Sequence, residues 1–202
     1  AINFLTAERE ADVGVYLGRH HDHIVYIGTR SMEFFYNAAN ATGSPLARRQ
    51  DVFYNIGSYH PNSILELGDR IFFVGKNIDG EVGLMMLEDF KITNISQGHA
   101  VVDKYIKALE YQTPTISQAD NLQQNVYLAT FNSAENGQFL VLTLPTGSFS
   151  LHMETSIWAK WYMGGTPTNN GGITDWTDPK VFPITASLNR TGTNTTTPNR
   201  WM

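Results

Sequence analysis

Four consecutive residues, His20-His21-Asp22-His23, form the densest set of metal-ligating atoms in this 202-residue chain. On a strand, His21 and His23 would face the same way, and three imidazoles with one carboxylate suit a transition metal. No distant partner motif completes such a site, so the stretch reads as a polar turn between strands. His60, His99 and His152 are scattered and read as turn, capping or surface residues. The carboxylates come next. Hydrolytic chemistry needs acidic groups that converge on one point. Asp69 and Asp79 each adjoin a predicted strand start and read as turn residues, with Glu81 beside them. Glu33 lies inside a predicted strand and reads as a buried structural carboxylate. No catalytic, cofactor-binding or metal-ligating residue is assigned on this basis.

The elements that would position these groups declare themselves through a repeat. Asp22-His-Ile-Val-Tyr-Ile-Gly28 returns 47 residues later as Asp69-Arg-Ile-Phe-Phe-Val-Gly75. Each copy is a polar turn, a short aliphatic and aromatic run, then glycine. Self-similarity of short strands at this period points to β-propeller blades. Strands are predicted over 13–17, 23–28, 32–37 and 52–56, with a loop over 38–45. A second unit is predicted over 63–67, 71–75, 82–87 and 90–95, and a third over 126–131, 138–144, 149–153 and 157–162. Between the second and third, Val102, Tyr105, Ile106 and Leu109 recur at helical spacing. They predict an amphipathic helix inserted near 98–112, with Ser96 as its N-cap and Pro114 beyond its end.

The expected fold is therefore all-β: about three to four blades over 1–165, part of a larger propeller, with one inserted helix. From 166 to 202 the chain turns rich in Thr, Asn and Gly. That segment reads as an extended arm or a partial further blade. Propellers close with about four to eight blades, so closure is expected from further sequence or from a partner chain. The start at Ala1 fits a piece of a longer protein.

Composition narrows the function. The net charge is −5, with only 14 Lys and Arg, which argues against a sequence-independent grip on nucleic acid. An acidic wall can still enclose DNA without sticking to it. The chain has no cysteine, which excludes a disulfide framework and a thiolate metal site and fits a reducing compartment. No apolar run of about 18 residues occurs, and no signal peptide is recognisable at the start. Sequons at Asn40, Asn94, Asn189 and Asn194 read as chance matches in a Thr- and Asn-rich chain.

The common propeller signatures, a Gly-His…Trp-Asp pair, kelch double glycines and a sialidase box, are missing. Instead the chain carries, in this order, Ile27-Gly-Thr-Arg-Ser-Met-Glu-Phe-Phe-Tyr36, Ile56-Gly-Ser-Tyr-His-Pro-Asn-Ser-Ile64, Ile71-Phe-Phe-Val-Gly75, Ile95-Ser96 leading into the helix, Gly137-Gln-Phe-Leu-Val-Leu-Thr-Leu-Pro145, and Trp158 with Trp161. On these segments rests a resemblance to the packaged-DNA stabilisation family, the tail hub or nozzle proteins of short-tailed bacteriophages. It runs from Asp22 to Tyr162. It implies a virion protein of the phage tail, assembled in the host cytoplasm, without cofactor, catalysis or membrane. The implied assembly is a homo-oligomeric ring below the portal and adaptor that retains the genome and carries tail spikes, a needle or fibres. Genomic DNA would pass through without sequence-specific binding.

Contact surfaces are expected at the basic pair Arg48-Arg49 and at the aromatics Trp176, Phe182 and Trp201 of the terminal segment. For Arg48-Arg49 a solvated loop is the simpler reading. Trp158 and Trp161 read as blade packing rather than sugar-stacking platforms, and the helix reads as rim packing or as a contact to a neighbouring subunit. The competing function is a glycan-acting propeller enzyme, such as a phage depolymerase, since propellers host many activities.

Overall fold

The 47-residue repeat is the second strand of two successive sheets. A computed structural model describes residues 12–40, 44–109, 126–135, 137–144 and 147–161. Its first sheet is β1 (Gly14–His20), β2 (His23–Gly28), β3 (Met32–Asn37) and β4 (Leu46–Tyr54), paired in that order. The second contains β5 (Ile56–Gly57) and β6 (Ile64–Leu67), which both pair with β7 (Arg70–Asn77), followed by β8 (Val82–Glu88) and β9 (Lys91–Asn94). The third is β10 (Tyr127–Ser133), β11 (Gly137–Leu144), β12 (Gly147–His152) and β13 (Trp158–Trp161). Every pairing is antiparallel. These are up-and-down propeller blades, and the all-β fold expected from the repeat is the fold of the chain. β2 and β7 occupy the same place in successive blades, as β11 does in the third.

Side-chain alternation decides how the blades stack. Along a strand, neighbouring side chains point to opposite faces. In the middle blade, Ile71 and Phe73 of β7 join Met85 and Leu87 of β8 against Val25, Ile27, Met32 and Phe34 of the first blade. Phe72 and Val74 join Val82 and Leu84 against Leu128, Leu140, Leu142, Phe149 and Leu151 of the third. Both faces of this blade are buried, so its strands are continuously apolar rather than alternating. Each fully buried aliphatic or aromatic side chain contributes about 1.5–3 kcal/mol.

α1 (Ala100–Ala108) fills the wedge between the second and third blades. Val102 and Ile106 are one turn apart on one stripe and are buried in that core. Tyr105 packs on Phe149 at 5.1 Å between ring centroids, and Lys160 donates to its hydroxyl at 3.0 Å. The apolar stripe is thus consumed within the chain rather than offered to a neighbour. Residues 110–112, the end of the predicted helix, lie outside the described residues.

Three expectations are corrected. The N-cap is His99, not Ser96. The Ser96 hydroxyl instead accepts from the Leu84 amide at 3.0 Å, and its backbone amide donates to Asn94 at 3.1 Å, which ties the end of the second blade. The strand predicted over 52–56 is much longer, because β4 starts at Leu46. Phe90 does not begin a strand; it sits in the β8–β9 turn with φ of 58°.

The first two blades meet through backbone at one end. The turn after Gly28 is held by Asp12, whose carboxylate accepts from the amides of Thr29, Arg30 and Ser31 at 2.9, 2.9 and 2.8 Å, and from the Thr29 and Ser31 hydroxyls. Burial pushes the Asp12 pKa up, but these hydrogen bonds outweigh it and the pKa lies below the ordinary carboxylate value. A Cβ on Gly28 would fall 2.1 Å from the Asp12 carboxylate. Gly57 of the second blade presses on the same turn: its Cβ would meet the Thr29 carbonyl carbon at 2.3 Å. The neighbouring Ser58 amide donates to the Gly28 carbonyl at 2.9 Å. Gly57→Ala therefore forces backbone apart where no side chain can yield. The expected outcome is a loss of about 2 kcal/mol, read as a drop of roughly 5 °C in the thermal midpoint.

Candidate functional site

The residues singled out for their chemistry gather at the opposite end of the same blade junction. β1 and β2 are joined by a tight turn in which His20 pairs with His23, and His21 adopts φ of 52°. β8 and β9 are joined by a second tight turn, with Glu88 paired to Lys91 and Asp89 and Phe90 at φ of 47° and 58°. Two consecutive left-handed residues make the mirror-image turn that matches strand twist, a place usually given to Asn-Gly. For Phe90 this backbone costs about 1–2 kcal/mol.

What holds Phe90 there is the first blade. Its ring meets those of His20, His23 and Phe34 edge-on, at 5.0, 4.9 and 5.3 Å between centroids. The Arg49 guanidinium lies 4.2 Å from the ring centroid, within cation–π range. The Phe90 amide donates to His20 Nε2 at 3.3 Å, and its carbonyl accepts from the Tyr54 hydroxyl. Asp89 lies 3.3 Å from His21 Nε2. The turn of one blade is plugged into the first.

The histidine run is therefore a polar turn only in part. His20 is 2% exposed and acts as an internal acceptor through Nε2. That role requires the neutral ring with its proton on Nδ1. Burial lowers the His20 pKa, and the nearby His21 lowers it further against the opposing pull of Asp89 and Asp69. Burial also lowers the His23 pKa, helped by Arg49 and His21 and opposed by Asp22 and Asp51. Among the described residues no group of three or more His, Cys, Asp or Glu is placed to hold a metal ion.

Arg48 and Arg49 part company on β4. Glu33 pairs with Phe53 while Phe35 pairs with Arg48, so β4 carries a wide bulge over 49–52. Arg48 Nε lies 2.7 Å from Glu33 Oε2, and Glu33 is 1% exposed. Glu33 is thus the buried structural carboxylate expected of it. Arg49 crosses to Phe90 and grips Asp51 by two bonds, Nε to Oδ1 at 2.9 Å and Nη2 to Oδ2 at 3.0 Å. The Arg49 hydrogen bond in turn lowers the Asp51 pKa. An open depression of about 430 Å³ lies beside them, lined by His23, Tyr36, Arg48, Arg49, Gln50 and Asp51. The Arg49 guanidinium is tied into the blade junction, and that of Arg48 into the opposite face of the first blade.

The other carboxylates stay apart. Asp69 is in the β6–β7 turn and Asp79 in the β7–β8 turn, at opposite ends of an eight-residue strand, roughly 25 Å from each other. Glu81 accepts from Asn77 and Asn94 near the Asp79 end. Paired-carboxylate glycoside hydrolysis needs a separation of about 5–10 Å. Trp158 packs against the core between the second and third blades. Trp176, Phe182 and Trp201 lie outside the described residues.

Missed from sequence were Phe90, Asp89, Tyr54 and Asp12. An aromatic at a left-handed turn position runs against turn preference, so no local signal marks Phe90. Asp12 bonds to residues 17–19 positions further on, beyond any turn pattern.

Residues 1–169 match the family described as Bacteriophage P22 Gp10, beta-propeller. The chain belongs to this family of phage packaged-DNA stabilisation proteins. No curated protein matches it. The match spans all three blades and the inserted helix, so the family resemblance seen from Asp22 to Tyr162 extends over the whole described fold. The protein is a phage structural protein of the packaged-DNA stabilisation class.

The site makes a pH prediction. His20 and His23 have folded-state pKa values below their ordinary value, so the unfolded chain takes up protons first as pH falls. Their contribution to stability is complete above about pH 6.5 and is lost as pH drops through the folded values, at up to about 1.4 kcal/mol per pH unit for each excluded proton. Urea unfolding from pH 8 to 5 should show this decline. His20→Gln, which keeps an acceptor but cannot titrate, should make the decline shallower.

Proposed function

We propose that this chain forms part of a phage tail hub or nozzle. In this reading identical copies make a ring below the portal and adaptor, retain the packaged genome and carry tail spikes, a needle or fibres. The observation that carries it is the family match over residues 1–169, coincident with three face-packed blades. The acidic balance of −5 supports a wall past which DNA slides without sequence-specific binding. The blade stack supports a rigid wall, because its two interblade cores are apolar and continuous. The aromatics Trp176, Phe182 and Trp201 are the proposed intersubunit contacts. Arg48 and Arg49, which line the open depression beside β4, are proposed as further contact residues.

A glycan-acting enzyme gains no observation in its favour, since Asp69 and Asp79 sit at opposite ends of β7 and Glu33 is locked to Arg48.

Electron microscopy of the purified protein, alone and with portal and adaptor, tests the reading. Closed rings that join the portal complex are the expected result. Particles that stay monomeric at micromolar concentration with both partners present overturn it. Trp176→Ala with Trp201→Ala should weaken self-association at least tenfold, as a hot-spot contact would, in analytical ultracentrifugation.

A further inference from the structure

The contact between the first two blades has three parts, and acid acts on them differently. In the middle, Ile71 and Phe73 face Val25 and Ile27, and none of these side chains titrates. At one end the Asp12 pKa is pushed up by burial and pulled further down by hydrogen bonds, so this carboxylate stays charged between about pH 5 and 8. At the other end two hydrogen bonds join the Phe90 turn to the first blade. One is given to His20 Nε2 at 3.3 Å, and one is taken from the Tyr54 hydroxyl. The first of these fails when His20 takes up a second proton, because both ring nitrogens are then donors.

One aromatic ring seals two imidazoles. Phe90 lies edge-on to His20 at 5.0 Å and to His23 at 4.9 Å. His20 Nδ1 and His23 Nδ1 are both buried and have no hydrogen-bond partner among the described residues. A charge on either ring would thus be buried without a counter-ion in hydrogen-bond contact, which is costly. The charged groups that face the pair come from every neighbouring element. The β1–β2 turn supplies His21 and Asp22, and β4 supplies Arg49 and Asp51, which grip each other. The β6–β7 turn supplies Asp69 and the β8–β9 turn Asp89, with Glu88 at its base paired to Arg70. Burial is the largest influence and lowers both pKa values. His21 adds to it, as does Arg49 at His23, and the carboxylates oppose it without reversing it.

We propose that the Phe90 turn is an acid-released latch: proton uptake by His20 and His23 expels the Phe90 ring and frees the tip of the β8–β9 hairpin while the three blades stay folded. Both imidazoles lie under the same ring, so one opening hydrates both and takes up two protons. The closed turn holds Asp89 and Phe90 in the left-handed region, and release lets them relax to ordinary angles. The contact between His21 and Asp89 strengthens when His21 is charged and opposes release. The Asp89 side chain is 85% exposed, so this opposition is weak. The sign follows from the two lowered pKa values. The closed form has its full stability above about pH 6.5 and loses it as pH falls through the closed-form values. The latch concerns contacts within one chain and stands apart from the ring.

Native-state hydrogen exchange on the full 202-residue chain, from pH 8 to 5, reads the opening of single amides. The Phe90 amide should open at least about tenfold more readily than the Leu84 amide, which is bonded to Ser96 inside the second blade. Its opening should be nearly independent of dilute urea, because little surface is exposed, whereas unfolding of the blades depends on urea steeply. Protection of the Phe90 amide should fall with pH by up to about a hundredfold per unit, tenfold for each proton taken up. His20→Gln with His23→Gln should flatten that dependence. Phe90→Gly suits the left-handed backbone and removes the seal, so NMR titration should find both imidazoles back near their ordinary pKa. The proposal is overturned if the Phe90 amide shares the rate and urea dependence of the Leu84 amide. It is overturned equally if the pH dependence survives in the double glutamine variant, or if the imidazoles of Phe90→Gly titrate as in the parent.

Discussion

A sheet with two buried faces cannot exist by itself, and the middle blade is such a sheet. Ile71 and Phe73 point one way and Phe72 and Val74 the other. Removed from its neighbours it would expose both sets, so it is folded only between them. A slip of one residue in β7 would exchange the two sets, sending Phe72 into the first blade and Phe73 into the third. Register is guarded where the apolar pattern alone would tolerate that slip. The buried Ser58 hydroxyl donates to the Val74 carbonyl at 2.7 Å, and the Ser96 hydroxyl accepts from the Leu84 amide. Buried polar groups of this kind add little net stability but discriminate strongly against wrong pairings, because each would be left unsatisfied.

The core between the first two blades has ends of different character. At the Asp12 end the contact is backbone on backbone, glycine against a carboxylate-held turn, and leaves little room for adjustment. At the Phe90 end it is a side-chain plug kept in place against unfavourable backbone angles. The first is a fixed backbone contact and the second a side-chain latch. The latch depends on neutral imidazoles: a protonated His20 could no longer accept from the Phe90 amide, and its charge would sit beside His21 and His23. A rise in acidity therefore weakens the Phe90 end of the junction, which ties the chemistry of the histidine run to the stability of the stack.

Much of this was legible in the sequence because strand formation is a local affair. The repeat marked β2 and β7 as equivalent, the apolar runs marked strands, and the Val102–Ile106 spacing marked the helix. The helix also explains why the third copy falls out of step, with β7 beginning at Arg70 and β11 at Gly137. What stayed hidden was set by partners distant in sequence. The Phe90 backbone is chosen by His20, Tyr54 and Arg49, and local preference argues against it. The β4 bulge that separates Arg48 from Arg49 arises from opposing demands, a buried carboxylate on one face and an aromatic ring on the other. Adjacent basic residues in a sequence look like one patch; here they are two unrelated interactions. The site at Asp12 was invisible for the same reason, since five donors from three residues reach back to one carboxylate.

The outer blades complete the physical picture by contrast. Each has one apolar face on the middle blade, and a second face of different character. On the first blade that face carries Glu33, Arg48 and Phe35; on the third it carries Thr143, Ser148 and Ser150, with the two hydroxyls of Thr143 and Ser148 at 3.3 Å. An ion pair with one partner at 1% exposure is a poor source of stability, because desolvation consumes most of the attraction. It is a good source of selectivity, since only a neighbour that leaves the pair intact can lie against it. An apolar face accepts any apolar partner of about the right shape, whereas these two faces reject most of them. Glu33, Phe35, Thr143, Ser148 and Ser150 are nonetheless buried within the chain, so the stack keeps its permissive and its discriminating faces alike away from solvent.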